Sequence, residues 1–305
     1  MNGNPTSEPG SSASPLIVLG TVNRDHVVFV ERHPLPGETL LGHSYETGTG
    51  GKGSNQAVAA ARAGASVTFV SAVGDDSAGR DMLEDLKAKG VDVSQVATID
   101  NMASGIALIA VSRDGENTII VDPGASARLD PSTVGDTLLR LVTPGTVLLT
   151  QLELPLPVVT QGCLAAHSAG ARIVLNLSPL REVPEDLLAA CDPLIVNAGE
   201  AEALSHASCD SVEAALAVAD ALAQRCRSVV VTLGARGSVV ADANAARHFP
   251  AREVKVVDTT GAGDSFAGAL AAALVAGATI DDAVERGTDA SALTVQHTGA
   301  QPPVA

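Results

Sequence analysis

Short apolar runs alternate with helix-like stretches through the second half of this chain, from about residue 132 onward. Each run is rich in Val, Ile and Leu, which is typical of a buried strand. The stretches between the runs are long enough to hold the crossover helices that parallel strands require. The alternation therefore predicts an α/β fold with a mostly parallel central sheet and helices on both faces. The runs are residues 147–149, 173–175, 194–196 and 229–233, and the clearest helical stretches are residues 157–169 and 212–225.

The first half of the chain contains pieces that depart from this alternation. Residues 16–19 and 67–73 have the composition of buried strands, and residues 77–89 that of a helix capped by Asp76 or Ser77. Two apolar runs, 105–111 and 118–121, are separated by Asp114-Gly115, a pair typical of a hairpin turn. We therefore expect lid strands from about residues 22–46 and 105–122, in a small antiparallel sheet that stands off the main one.

Composition and charge restrict the possible partners. Hydrophobic residues make up 46% of the 305 residues, enough to build a sizeable core. A net charge of −16 repels nucleic acid and acidic membranes, and 2% aromatic residues are too few for base stacking. The four cysteines show no C-x-x-C spacing, which favours reduced thiols and a cytoplasmic location. Residues 1–15 are expected to be a disordered leader, and residues 16–305 a single domain without a membrane span.

The most informative motif is Asp-Thr-Thr-Gly-Ala-Gly-Asp, from Asp258 to Asp264. Strand-like residues 254–257 precede it, and a helix of small residues follows from residue 266. A strand-to-helix turn is therefore predicted at Gly261, Ala262 and Gly263. Free N–H groups at a helix N-terminus bind anions, and the carboxylate of Asp264 beside them can accept the proton of an attacking hydroxyl.

A simpler interpretation of this motif is that Asp264 caps the helix and the glycines only form the turn. That interpretation suits G-A-G-D alone, whereas the full string D-T-T-G-A-G-D-S-F favours catalysis. The Walker A pattern G-x-x-x-x-G-K-[ST] is absent from the sequence.

Two motifs in the first half suit a polyol ligand. Lys52 and Asn55 lie in a glycine-rich turn before an Ala-rich helix at residues 56–63, and both can donate to hydroxyls or phosphate. Asn23 and Asp25 are two residues apart on a predicted strand, so they share a face and offer adjacent hydroxyls a donor and an acceptor. Taken alone, the glycine-rich motif fits a flexible loop with a solvated lysine about as well as a ligand site. For Asn23 and Asp25 alone, a polar strand face toward solvent is the preferred interpretation.

Two further motifs follow predicted strands, where ligands bind in open α/β sheets. Asn197 and Glu200 follow the run at 194–196. Glu200 can order water around Mg²⁺, or it can simply be the first-turn acid of the next helix. The run from Thr232 to Gly237 suits a nucleotide contact, although a plain β-turn explains it as well.

Taken together and in this order, the motifs resemble the carbohydrate kinase PfkB family, also called the ribokinase family. The resemblance extends from about Ile17 to Ala300 and rests on GGKGSNQAVAAARAG with VGDD, and on DTTGAGDSFAGAL. It implies a ribokinase-like three-layer fold with a small antiparallel β-sheet lid over the sugar, and often a homodimer through the lids. Shorter matches, N-R-D, P-G-E-T, Q-L-E and G-A-Q-P, indicate members that act on D-ribose.

The resemblance implies ATP-dependent phosphorylation of D-ribose at the 5-hydroxyl, with Mg²⁺ on the phosphates and K⁺ as activator. Asp264 would be the base, with Gly261, Ala262 and Gly263 as the anion hole. The sugar would contact Asn23, Asp25, Gly51, Lys52, Gly53, Asn55, Glu153 and Asp264. The ATP site would comprise Asn197, Glu200, Thr232, Leu233, Gly234, Ala235, Arg236, Gly237, Gly263 and Thr288. The K⁺ site would comprise Asp258, Thr260, Thr294, His297, Gly299 and Pro303, the last standing where the family often has Ser.

Three other functions fit parts of the sequence. A relative of the same family could accept fructose, 2-keto-3-deoxygluconate or a nucleoside, although a nucleoside needs an apolar or aromatic slot for its base. A sugar- or nucleotide-binding sensor without catalysis would be expected to lose the base or the anion hole. An NAD-dependent oxidoreductase would need G-x-G-x-x-G after the first strand, and that pattern is missing there.

Overall fold

The structure is a computed structural model that describes residues 15–301. The strands are β1 Leu16–Leu19, β2 Asn23–Phe29, β3 Ser44–Gly50, β4 Val67–Gly74, β5 Val91–Ile99, β6 Gly105–Val111, β7 Asn117–Asp122, β8 Val147–Thr150, β9 Arg172–Asn176, β10 Cys191–Asn197, β11 Ser228–Thr232, β12 Ser238–Asp242 and β13 Ala246–Phe249. The helices are α1 Lys52–Arg62, α2 Ser77–Ala88, α3 Pro131–Leu141, α4 Leu156–Ser168, α5 Glu185–Ala190, α6 Ala198–Ser205, α7 Val212–Leu222, α8 Ala262–Val275 and α9 Ile280–Thr294. The leader predicted at residues 1–15 lies, except for its last residue, outside the described range.

The main sheet has the strand order β13-β12-β11-β10-β9-β8-β1-β4-β5. All neighbouring strands from β11 to β5 run parallel, whereas β12 and β13 form an antiparallel edge. The central strands β1 and β8 are buried along their whole length, because helices cover both faces of the sheet. This arrangement confirms the predicted α/β fold class.

Each face of the main sheet has its own hydrophobic core, and β1 contributes to both. Ile17 and Leu19 belong to the core under α3, α4, α5 and α7, whereas Leu16 and Val18 belong to the core under α1, α8 and α9. Helix α8 is rich in Ala and buried from Asp264 onward for most of its length, so neighbouring backbones approach it closely. The site described below lies at the start of this helix.

The second sheet has the order β3-β2-β6-β7. Its two hairpin-like outer pairs are antiparallel, as expected, but the middle pair β2–β6 is parallel, so the sheet is mixed. The connections explain this direction. The chain leaves the main sheet after β1 to form β2 and after β5 to form β6, and β1 and β5 run in the same direction. The segment also extends further than the predicted residues 22–46, because β3 ends at Gly50.

Two local predictions differ from the structure. Residues 254–257 form no strand, and Val256 and Val257 are exposed; the N–H of Val257 donates instead to the carbonyl of Val295 (2.7 Å). Their β-branched side chains favour an extended backbone, but no neighbouring strand pairs with them. Helix α1 begins at Lys52, four residues before the predicted start, so Asn55 lies inside its first turn.

No helix within residues 15–301 has both the length and the hydrophobicity needed to cross a membrane.

Candidate active site

The candidate site lies where the parallel strands of the main sheet end. Asn176, Asn197 and Thr232 are the last residues of β9, β10 and β11, and they open onto a cavity of about 250 Å³. Its opposite wall is formed by the start of α8, so ligands in the cavity would meet both strand ends and a helix N-terminus. The lining residues are Lys52, Asn176, Ser178, Ile195, Asn197, Glu200, Thr232, Thr259, Gly261, Gly263 and Asp264.

Asp264 is in the first turn of α8 and is almost completely buried. Each of its carboxylate oxygens accepts one amide hydrogen bond, from Gln56 Nε2 (3.0 Å) and from Asn55 Nδ2 (3.1 Å). Burial raises the pKa of Asp264, and the positive charge of Lys52 together with the two amide donors opposes this shift only in part. The result is a fixed carboxylate with an increased proton affinity, which is what a general base requires.

Close packing of α1 against α8 explains why these amides reach Asp264. Gly268 lies one turn beyond Asp264 on α8, and a Cβ added there would lie 2.5 Å from the carbonyl oxygen of Gln56. Only a glycine permits this approach of two helix backbones. The two amides and the carboxylate are therefore held together by the packing of two helices and not by loops.

The turn before α8 has the features of an anion site. Gly261 has φ +74°, and a Cβ there would lie 2.5 Å from Cα of Ala300, so a side chain is excluded. The N–H of Ala262 donates to the carbonyl of Thr259 (3.2 Å) and is thus engaged within the turn. Among the described residues, no acceptor is bonded to the N–H groups of Gly263 and Asp264, which leaves these two as the free donors of the helix N-terminus.

Lys52 stands at the N-terminus of α1 and lines the same cavity. Its N–H donates to Glu153 Oε2 (2.9 Å), and the hydroxyl of Thr21 donates to the same oxygen. The charge of Lys52 acts on the pKa values of both Asp264 and Glu200. Lys52 thus shares the cavity with Asp264 at the start of α8 and with Glu200 in the first turn of α6, and its charge acts on both carboxyl groups.

The polar pair on β2 is brought close to Glu153. Asn23 is buried, and no donor among the described residues reaches its Oδ1. Burial, followed by the negative charge of Glu153, raises the pKa of Asp25 to about 7. A Cβ on Gly50 would lie 2.0 Å from Asp25 Oδ2, so β3 closes over this carboxyl group at the base of the small sheet.

Asn197 and Glu200 form a capping box at the start of α6. Asn197 Oδ1 accepts from the N–H of Glu200 (2.9 Å), and Glu200 Oε2 accepts from the N–H of Asn197 (2.8 Å). Burial raises the pKa of Glu200, and the hydrogen bond from Asn197 and the charge of Lys52 oppose that shift only partly. Glu200 is thus a first-turn acid of α6 whose Oε2 closes the capping box, and its carboxyl group also lines the cavity.

The pattern of the pfkB family carbohydrate kinases matches residues 14–305 of the chain. The chain belongs to this family. It is 36% identical to a ribokinase of Haemophilus influenzae over 287 residues, which cover 94% of each chain. It is 37% identical to a ribokinase of Schizosaccharomyces pombe, covering 93% of each. The structure of Arabidopsis thaliana ribokinase complexed with ribose and ATP superposes with a TM-score of 0.86 at 30% identity, covering 95% of both chains.

Within the pfkB-family fold, the remaining candidate nucleotide residues lie in different surroundings. Thr232 lines the cavity, whereas Leu233, Gly234, Ala235 and Gly237 form the turn into β12 and do not. The guanidinium of Arg236 donates to the backbone carbonyls of Cys209 and Asp210. The hydroxyl of Thr288 donates to the carbonyl of Val284 (2.9 Å), inside α9. Neither Arg236 nor Thr288 therefore presents its polar group to this cavity.

Most of the candidate cation residues come together where the loop before α8 meets the chain after α9. Asp258 accepts from the N–H of Thr260 (2.9 Å) and from the N–H of Gly299 (2.8 Å). Burial acts to raise the pKa of Asp258, but these hydrogen bonds outweigh it and lower the pKa. The hydroxyl of Thr294 donates to Ser265 Oγ (2.7 Å), and His297 is exposed. Pro303 lies outside the described residues.

Sequence reasoning missed several residues that support Asp264. Gln56 donates to Asp264 and also to Asn176 Oδ1 (3.0 Å), and it accepts from Gln151 Nε2 (2.7 Å). The predicted helix began at Gln56, so this residue stood at the edge of the helix. Only the earlier start of α1 would have indicated that Gln56 supports Asp264. Gln301 lies in the G-A-Q-P match, but that match did not indicate its hydrogen bond to Asn55.

Proposed function

We propose that this pfkB-family kinase transfers the γ-phosphoryl group of ATP to the 5-hydroxyl of D-ribose, with Asp264 as the general base. The observation that carries the proposal is the buried Asp264, fixed by two amide donors at a helix N-terminus and opening onto the cavity that Lys52 shares. The similarity to ribokinases over nearly the whole chain supports ribose as the acceptor.

On the sugar side, we propose contacts to Asn23, Asp25, Asn55 and Glu153 through their side chains. Support comes from their chemistry and burial: the buried amides of Asn23 and Asn55 and the half-buried carboxyl groups of Asp25 and Glu153 offer the donors and acceptors that a polyol requires. Gly51 and Gly53 would contribute to the same site through their backbone, because both pack tightly against the residues after β1. A Cβ on Gly53 would lie 2.6 Å from the backbone of Gly20, so the loop can follow the strand end closely.

In the proposed reaction, the 5-hydroxyl gives its proton to a carboxylate oxygen of Asp264 while its oxygen attacks the γ-phosphorus in line with the leaving ADP. The free N–H groups of Gly263 and Asp264 and the ammonium of Lys52 would stabilise negative charge on the phosphoryl oxygens. The small sheet would exclude water from the sugar and so limit wasteful hydrolysis of ATP.

Mg²⁺ and K⁺ are part of this proposal. Oxygen ligands suit Mg²⁺, and the buried Glu200 beside Asn197 would hold it through water, where it would neutralise charge on the phosphates. For K⁺, the loop at Asp258 and the tail at Gly299 are joined by a hydrogen bond, which would hold backbone carbonyls of both segments near one another. A rise in the ribose-dependent rate on adding K⁺, with choline chloride as the ionic-strength control, is expected.

A homodimer through the lids and a cytoplasmic location complete the proposal. The dimer is supported by exposed apolar side chains on the small sheet, namely Tyr45, Leu108, Ile119, Ile120 and Val121. Light scattering during size exclusion is expected to give twice the monomer mass, and Ile120→Glu is expected to reduce it. A monomeric wild type at micromolar concentration would contradict this part of the proposal.

The main test is ADP release with a panel of acceptors: D-ribose, 2-deoxyribose, fructose, 2-keto-3-deoxygluconate and adenosine. We expect D-ribose to have the highest kcat/KM and the product to be the 5-phosphate by ³¹P NMR. Asp264→Asn is expected to lower kcat about 100- to 10,000-fold while ATP and ribose still bind. Near-normal turnover by this variant would show that Asp264 is not the base.

A further inference from the structure

A continuous chain of hydrogen bonds runs from the end of α2 to the carboxylate of Asp264. Lys89 Nζ donates to Gln301 Oε1 (2.8 Å), and Gln301 Nε2 donates to Asn55 Oδ1 (2.8 Å). Asn55 Nδ2 then donates to Asp264 Oδ2 (3.1 Å). The four residues belong to α2's C-cap, the C-terminal tail, α1 and α8, so the chain joins segments that are far apart in the sequence.

The chemistry of the first member fixes the direction of the whole chain. An ammonium group has donors and no acceptor, so the carboxamide of Gln301 must present its oxygen to Lys89. Its NH₂ group then faces Asn55, which must present an oxygen in return. The NH₂ group of Asn55 is therefore left to face Asp264. The Asn55 amide is thus held in one orientation from both ends of the chain, by the carboxylate of Asp264, which only accepts, and by the ammonium of Lys89 two hydrogen bonds away.

Further contacts hold Lys89 and Gln301 in place. Asp85, one turn earlier on α2, accepts from Lys89 Nζ (2.7 Å) and positions the ammonium. Gln301 Nε2 also donates to the carbonyl of Thr49 on β3 (3.1 Å), which ties the small sheet to the same amide. Neither Lys89 nor Gln301 lines the cavity, so their influence on the reaction has to act through Asn55.

We infer that Lys89 and Gln301 are positioning residues for the reaction, because they hold the Asn55 amide with its NH₂ group toward Asp264. The inference rests on the proposed role of Asp264 as the base. With Asn55 reversed, its carbonyl oxygen would lie against the carboxylate, the base would turn away, and one of the donors that lower its pKa would be lost. The base would then be misplaced and also protonated at a higher pH.

The test uses the full-length enzyme and the isosteric variant Gln301→Glu. A carboxylate at this position still pairs with Lys89 but cannot donate to Asn55, so the Asn55 amide reverses. We expect kcat to fall about 10-fold and the acid limb of the kcat–pH profile to move up by about one unit. Gln296→Glu is the matched control, because Gln296 is exposed on the same C-terminal segment and its side-chain amide donates to the carbonyl of Ala292, away from Asn55. It is expected to keep the wild-type profile.

A second pair of variants covers the possibility that Gln301→Glu does not fold. Lys89→Met removes the ammonium and keeps the chain length, and Lys87→Met makes the same change at an exposed position on the same helix. We expect the first to shift the acid limb in the same direction and the second to leave it in place. In a Lys89→Met/Gln301→Leu double variant, the loss of kcat should be no larger than in Gln301→Leu alone, because the two residues act in series.

The outcomes separate this inference from the proposed function. If wild type phosphorylates ribose but the folded Lys89 and Gln301 variants keep its kcat and pH profile, or lower only the Tm, the positioning role is wrong. Additive losses in the double variant would also contradict it. If wild type shows no ribose phosphorylation, or Asp264→Asn retains it, the proposed function itself fails.

Discussion

Asp25 allows a quantitative test of the electrostatics of the proposed sugar site. Burial and the nearby charge of Glu153 raise its pKa from 3.8 to about 7, against the smaller opposing effect of Arg24. Between these two pH values, the unfolded chain has released this proton while the folded protein still binds it. Each pH unit well inside the interval therefore lowers the free energy of unfolding by about 1.4 kcal/mol.

The substitution Asp25→Asn removes this titration from the folded and unfolded states alike. The stabilising contribution of the protonated carboxyl is present at low pH and is lost as the pH rises through about 7. The free energy of unfolding of the variant, minus that of wild type, should therefore increase by about 2 kcal/mol from pH 5 to pH 7 and level off above pH 8. Urea unfolding followed by circular dichroism at each pH measures this difference.

The control is Asp100→Asn, which removes a carboxylate of the same size from an exposed position. Its difference from wild type should not follow the rising curve of Asp25→Asn. If the Asp25→Asn difference stays constant across pH 5 to 8, then burial and Glu153 do not raise the pKa as the structure indicates. A difference that falls with pH would mean that the shift has the opposite sign.

Three further substitutions test other parts of the site. Gly261→Ala places a Cβ against the tail at positive φ. The free energy of unfolding in urea titrations should therefore fall by at least about 1–2 kcal/mol, and kcat should also fall. Unchanged values would mean that the turn relaxes freely. Gly268→Ala pushes Gln56 away from α8, and kcat should fall more than KM rises in steady-state kinetics; an effect on KM alone would contradict this. Glu200→Gln keeps the capping box with Asn197 but removes the charge, so the Tm should change little while the Mg²⁺ requirement rises. A purely structural role predicts no change in that requirement.

The fold class was predictable because it depends on pattern rather than on individual contacts. Apolar runs at regular spacing indicated the parallel strands, and the Asp114-Gly115 pair indicated the β6–β7 hairpin. The start of α8 after a glycine-containing turn was also predictable, because glycines before a run of small helix-forming residues indicate such a turn. In each case one local property determines the structure, so tertiary contacts did not change the outcome.

Predictions that depended on contacts with another segment of the chain were less successful. Residues 254–257 have a strand-like composition, but a strand forms only where another strand is free to pair, and composition does not contain that information. Composition likewise does not show that the guanidinium of Arg236 donates to the carbonyls of Cys209 and Asp210. Gln56 was missed because its role arises only when α1 packs on α8.

The buried amides of Gln56 and Gln151 and the half-buried amide of Asn176 link Asp264 to the ends of the core strands β8 and β9. Each amide lost its rotational freedom when the chain folded, so no entropy remains to be lost at that position when a substrate arrives. The conformation of Asp264, the proposed base, is thereby tied to the global folding equilibrium and not to a local opening of a loop. In urea, catalytic competence should consequently disappear together with the main sheet, in a single transition.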